Sequence, residues 1–146
     1  MDAAQRAVFQ GIVYYYRENQ VLCRYQASLR DPVDPVLLQE ALDAARPLAE
    51  YYFCRVVWEK REAHLEPNDA PCRVRQGSVQ PRIPEETEDY LFSLGWEGDT
   101  IYLDWFHFLA DGRGGSPFFT LLLSLYCNLK YDAGFACGVL ASDPPY

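Results

Sequence analysis

Ile101-Tyr-Leu-Asp-Trp-Phe-His107-Phe-Leu-Ala-Asp111-Gly112-Arg-Gly-Gly-Ser116-Pro117 is the stretch on which the fold of this chain turns. Its first half alternates. Ile101, Leu103, Trp105, His107 and Leu109 share one face of an extended segment, with Tyr102, Asp104, Phe106 and Phe108 on the other. His107 is the one polar group in an otherwise apolar row. Asp111-Gly112 is a turn signal, and Gly112, Gly114 and Gly115 allow positive φ or a close backbone approach. Ser116 as N-cap and Pro117 as first helical residue predict a helix whose body, Phe118 to Leu129, is apolar nearly all round.

Working back from that strand, Tyr90–Trp96 and Thr100–Leu109 form a hairpin turned by Glu97-Gly98-Asp99. The stretch from Pro67 to Asp89 holds four prolines and the acidic run Glu85, Glu86, Glu88 and Asp89. It reads as a long loop in which only Cys72–Arg75 has strand character, with the acidic run as solvated surface. Phe53–Glu59 and Ala63–Glu66 read as a second hairpin around Lys60-Arg61-Glu62, with His64 an ordinary strand histidine. Asp34 and Pro35 open a helix with Leu38, Ala41, Leu42 and Ala45 inward and Gln39, Glu40 and Asp43 outward, ended by Pro47. Val21–Leu29 alternates as a half-buried strand. Ala3–Val13 predicts a short helix or arm, and Tyr14–Tyr16 a packing cluster. The fold class is therefore α+β: one lobe with a mixed, mostly antiparallel sheet and helices largely on one face. The expected boundaries are 1–132 for the lobe and 133–146 for a linker or tail.

Composition narrows the function classes. The chain has 146 residues, is 49% hydrophobic and carries a net charge of −8. That charge argues against nucleic acid or an anionic membrane surface as partner. The run Phe118–Leu125 is too short to span a bilayer, and no apolar h-region follows Asp2 and Arg6, so a soluble cytoplasmic protein is expected. The five cysteines form no C-x-x-C pair, and no histidine lies at zinc-ligand spacing from them. Reduced thiols and no metal are expected.

For His107 two readings stand side by side. One is a core histidine followed by an ordinary Asp-Gly turn. The other is a general base held at a cleft by a rigid strand end, suited to deprotonating a hydroxyl or amine as it attacks an acyl group.

His107-Phe-Leu-Ala-Asp111-Gly112 resembles the H-x-x-x-D-G motif of the chloramphenicol acetyltransferase-like superfamily, which includes alcohol O-acetyltransferases and the condensation domains of peptide synthetases. Val33–Asp43, Leu65–Asn68, Trp105–Gly112, Phe118-Phe119 and Leu121-Leu122 resemble, in that order, the N-terminal lobe of bacterial alcohol acetyltransferase-like proteins. The resemblance implies His107 as general base, Asp111 as a structural residue pinning the turn, and Gly112 as the residue permitting it. It implies no bound cofactor. Acetyl-CoA or another acyl-CoA would be co-substrate, and a small alcohol or amine the acceptor. Condensation domains usually carry a second histidine where this chain has Phe106, which favours the acetyltransferase branch. Members of the superfamily mostly have two lobes, so a second lobe or a homo-oligomer is the expected completion of the site. The alternative from another class is a non-catalytic half-lobe whose apolar last helix and aromatic sheet face serve association.

Overall fold

The computed structural model describes residues 3–4, 22–60, 62–106 and 112–140, with the backbone alone for 112–114. Most of the N-terminal helix or arm and the tyrosine cluster lie outside the described residues.

The elements in chain order are β1 (Leu22–Ser28), α1 (Pro35–Ala45), β2 (Cys54–Glu59), β3 (Glu62–Pro67), β4 (Arg75–Gln76), β5 (Phe92–Glu97), β6 (Thr100–Phe106) and α2 (Gly112–Tyr131). Four strands form one sheet in the order β1-β6-β5-β4, and β2-β3 form a separate hairpin. β1–β6 and β5–β6 pair antiparallel, while β4 pairs parallel to β5. The expected α+β lobe with a mixed, mostly antiparallel sheet is what the chain adopts.

The β5–β6 hairpin closes in two residues. Glu97 faces Thr100, and Gly98 takes φ +58°, the left-handed conformation that tight hairpins need. The carbonyls of that turn are used a second time. Leu29 N–H donates to Asp99 O and Val33 N–H to Gly98 O, both at 2.8 Å, so the turn also fixes where the chain leaves β1 for α1.

α1 starts as its sequence dictates. The Asp34 carboxylate accepts from the Val36 and Leu37 amides at 3.0 and 3.3 Å, and Pro35 follows the cap. Leu38, Ala41, Leu42 and Ala45 are buried. Gln39 departs from its expected place in solvent. Its side-chain amide donates to Cys72 O at 2.8 Å and accepts from Val74 N–H at 2.9 Å, so it pairs with backbone as a strand edge would. Arg46, one residue beyond the helix, donates to the carbonyls of Asn68 and Ala70 at 2.9 and 3.1 Å. The Tyr90 hydroxyl bonds the same two carbonyls. These side chains anchor a long loop that has little secondary structure of its own. The strand in that loop is Arg75–Gln76, later than the expected Cys72–Arg75. Gly77 N–H reaching Trp96 O at 2.8 Å extends the pairing, and Val74 is held by Gln39 instead.

α2 begins at Gly112, four residues before the expected Ser116 cap, and Pro117 lies inside it. A proline there deletes one bond of the helical ladder, and glycines are poor helix formers. Packing overrides both. Phe118, Leu121, Leu122 and Tyr126 are buried, and Tyr126 Oη accepts from the Asp34 amide at 2.9 Å, joining α2 to the start of α1. Phe118 is the centre of an aromatic cluster. Its ring stacks on Tyr52 at 4.2 Å and meets Phe92 and Phe53 edge-on at 5.1 and 6.0 Å.

α2 covers the sheet face that carries Leu103 and Trp105, where Tyr25 meets the rings of Trp105 and Phe119 at 4.9 and 5.9 Å, and α1 packs against α2. The aromatic sheet face proposed as a possible association surface is therefore interior. No helix among the described residues is long and apolar enough to cross a membrane.

Two of the thiols are deep in this core. Burial pushes both Cys54 and Cys72 up to about 12 from an ordinary value of 9.0. A raised folded value means that these thiols contribute stability fully below about pH 9. That contribution is lost as pH climbs towards 12. Alkylation of the native protein at pH 8 is expected to modify Cys137, Cys127 and Cys23, which are only partly buried, and to spare Cys54 and Cys72 until the chain unfolds. Peptide mass mapping checks this; early labelling of Cys54 would contradict the packing described.

Candidate active site

His107 and Asp111 lie outside the described residues. Gly112 is the first residue of α2. What the structure defines is the frame on either side of the motif.

On the upstream side stands β6, an inner strand of the sheet paired along its length to β1 and β5. Its last residue, Phe106, is buried and donates its N–H to Leu91 O at 3.0 Å, while Leu22 is its register partner on β1. The strand is thus held on both sides up to the residue before His107. At the sequence position where condensation domains carry an extra histidine, Phe106 is a core residue.

On the downstream side stands the first turn of α2. The glycine-rich stretch is helical here, and Gly115 has a specific reason to be glycine. A Cβ built on it would lie 2.6 Å from Trp105 Cζ2, well inside contact distance. Trp105 is itself buried, so its ring has little room to withdraw. Gly115 therefore lets the helix seat directly on the strand that leads into the motif. The close approach expected of these glycines is made, at this position, to a neighbouring indole. The 20-residue helix also places its positive dipole end at Gly112, directly after the motif in the chain.

The opposite face of β6 carries a group that sequence reading passed over. Asp104 is 2% exposed, and its register neighbours are Arg24 on β1 and Ser93 on β5. Arg24 Nε donates to Asp104 Oδ1 at 2.7 Å and its Nη2 to Oδ2 at 3.0 Å, a two-pronged ion pair across the strands. Gln80 Nε2, from the proline-rich loop, donates to Oδ1 at 2.9 Å. The Arg24 guanidinium also lies over the Tyr102 ring at 4.5 Å. The hydrogen bond to Asp104 raises the Arg24 pKa above its ordinary value, with burial opposing. The available signal was an acidic residue within an apolar strand, opposite an arginine in another alternating segment.

Beside Ser93 lies a cleft of about 180 Å³ between residues 71–75, residues 86–88 and the start of β5. Its arginines face glutamates across it. Arg75 sits 3.7 Å from Glu86 and Arg73 4.0 Å from Glu88. His64 is a half-exposed strand residue of β3, 3.6 Å from Glu66. Among the described residues no three His, Cys, Asp or Glu side chains are grouped as a metal site.

No family model matches the sequence, and no curated protein matches it. Solved structures do match in fold. Polyketide synthase associated protein 5 from Mycobacterium tuberculosis superposes over 93% of this chain and 35% of its own, at TM-score 0.66 and 17% identity. The starter condensation domain of rhizomide synthetase RzmA superposes over 98% of this chain and 39% of its own, at 0.66 and 12%. The first condensation domain of the calcium-dependent antibiotic synthetase gives 98%, 39%, 0.65 and 17%. The chain thus spans between a third and two-fifths of the length of these structures. The likeness extends over nearly all of this chain, which therefore has the fold of part of these condensation-domain structures.

Proposed function

We propose that this chain is an acyl-transfer lobe in which His107 acts as general base. The observation that carries the reading is the frame around the motif. H-x-x-x-D-G lies between an inner strand clamped to its last residue and the start of a long helix buried along one side, in a fold shared with condensation domains. In this reading His107 takes the proton from an acceptor hydroxyl or amine as it attacks an acyl-thioester carbonyl. Electrons then pass to the carbonyl oxygen, and the thiolate leaves as the carbonyl reforms. Asp111 pins the turn and Gly112 permits it. The donor is acetyl-CoA or another acyl-CoA, the acceptor a small alcohol or amine, and the reaction that of an alcohol O-acetyltransferase. The positive end of α2 follows the motif in sequence and would favour the oxyanion.

His107→Ala is expected to lower acetyl transfer from acetyl-CoA to an alcohol panel by about 10²–10⁴-fold, with the melting temperature nearly unchanged. Transfer assays on the full chain, alone and with any partner lobe co-purified with it, check this. Unchanged activity in the variant would remove the assignment.

A second reading is favoured by one feature. Leu129, Tyr131, Phe135 and Val139 are exposed at and after the end of α2, with Val139 75% exposed. They suit association with a second lobe or another copy. Mass in solution separates the two: an oligomer that binds acetyl-CoA supports the enzyme, and a monomer that does not supports an inert half-lobe.

A further inference from the structure

We propose that Asp104 is a positioning residue for the H-x-x-x-D-G segment, tying the proline-rich loop to the end of β6, the strand that precedes His107 in the chain. The proposal rests on the reading of His107 as base.

Three segments far apart in sequence converge on one buried carboxylate. Arg24 comes from β1, Asp104 from β6 three residues before His107, and Gln80 from the loop that precedes β5. The carboxylate side chain is 3% exposed and Arg24 24%. A buried, fully bonded ion pair adds little net stability compared with apolar residues of the same shape, because desolvation cancels much of the attraction. What it supplies is direction. The two-pronged geometry adds a directional side-chain restraint to the β1–β6 pairing two residues before the end of β6.

Gln80 extends that order to the loop. Its residue is exposed and lies just past the short β4–β5 pairing, and its amide reaches over the sheet to the same oxygen that Arg24 Nε holds. Arg46 and Tyr90 anchor the two ends of residues 68–90. Gln80 is a bond from the middle of that span to the sheet face. The cleft beside Ser93 is walled by the same loop. Displacing the loop would therefore change both the cleft and the restraint on the end of β6. A catalytic base misplaced by about an ångström loses about a hundredfold in rate, so a restraint of this type is visible kinetically.

The test uses the full chain with His64→Gln, which leaves one histidine of the two in the sequence and hence a single imidazole signal by NMR. Gln80→Ala removes one donor from an exposed side chain and keeps the ion pair. It should lower kcat for acetyl transfer about tenfold with KM unchanged. It should also shift the His107 ring resonance and its titration midpoint, with the melting temperature lowered by about 4 °C or less. Asp104→Asn should give the same signature with a larger loss. If folded Gln80→Ala leaves the His107 resonance, its midpoint and kcat at their parent values, Asp104 is a structural clamp only and the proposal falls. An Asp104→Asn protein that does not fold leaves the decision to Gln80→Ala. If the parent shows no transfer, or His107→Ala retains it, the base reading fails, and the His107 resonance still decides whether the tether reaches the turn.

Discussion

Phe118→Ala is expected to cost about 3–5 kcal/mol of folding stability. The side chain is 1% exposed and touches aromatic rings from three directions: Tyr52 stacked, and Phe92 and Phe53 edge-on. Truncation would leave a cavity walled by rigid rings that cannot collapse into it. The lost ring contacts add to the lost burial. For a domain that is stable by only about 5–15 kcal/mol, this is a large share. Denaturant unfolding checks it through a lower midpoint at an unchanged slope. Phe118→Leu should recover much of the loss, because it fills most of the volume. A midpoint within 1 M urea of the parent for Phe118→Ala would show that α2 is not the lid of this core.

Arg24→Ala is expected to cost about 2–4 kcal/mol, because it leaves the Asp104 carboxylate buried with one donor, Gln80, in place of three bonds. The figure is set below that of a fully enclosed pair because Arg24 is 24% exposed and water can enter where its guanidinium lay. Arg24→Met with Asp104→Leu should restore most of the stability, since it removes both charges together and keeps apolar volume. A double-mutant cycle measures the coupling directly. Equal losses in Arg24→Ala and in the double variant would mean that the pair is not the unit described.

These two experiments probe different layers of one design. The aromatic cluster holds α2 down on the sheet. The ion pair on the other face holds the strand from which the motif emerges. Between them, Gly115 lets helix and strand meet at the indole of Trp105, so the chain has a defined route into and out of the H-x-x-x-D-G segment.

Much of this was legible in the residues. Asp34-Pro35 with the stripe Leu38, Ala41, Leu42 and Ala45 encodes a capped amphipathic helix, because capping and 3.6-residue periodicity are local properties. The alternation in 22–28, 92–97 and 100–106 and the glycine at 98 encode three strands and a tight hairpin for the same reason. The motif at 107–112 is a sequence observation throughout. What the chain could not show locally is everything that depends on a distant partner. Gln39 bonds to backbone more than thirty residues away, and Asp104 is buried because Arg24 and Gln80 arrive from other segments. Ser116-Pro117 is a good local start for a helix. Yet α2 begins at Gly112, since burial of its apolar side and the contact of Gly115 with Trp105 outweigh the low propensity of three glycines. Sequence alone determined most of the segments that are helix or strand and where the H-x-x-x-D-G motif lies. Tertiary structure decided which polar side chains are interior, because the cost of burying a charge is met only by groups brought together in space.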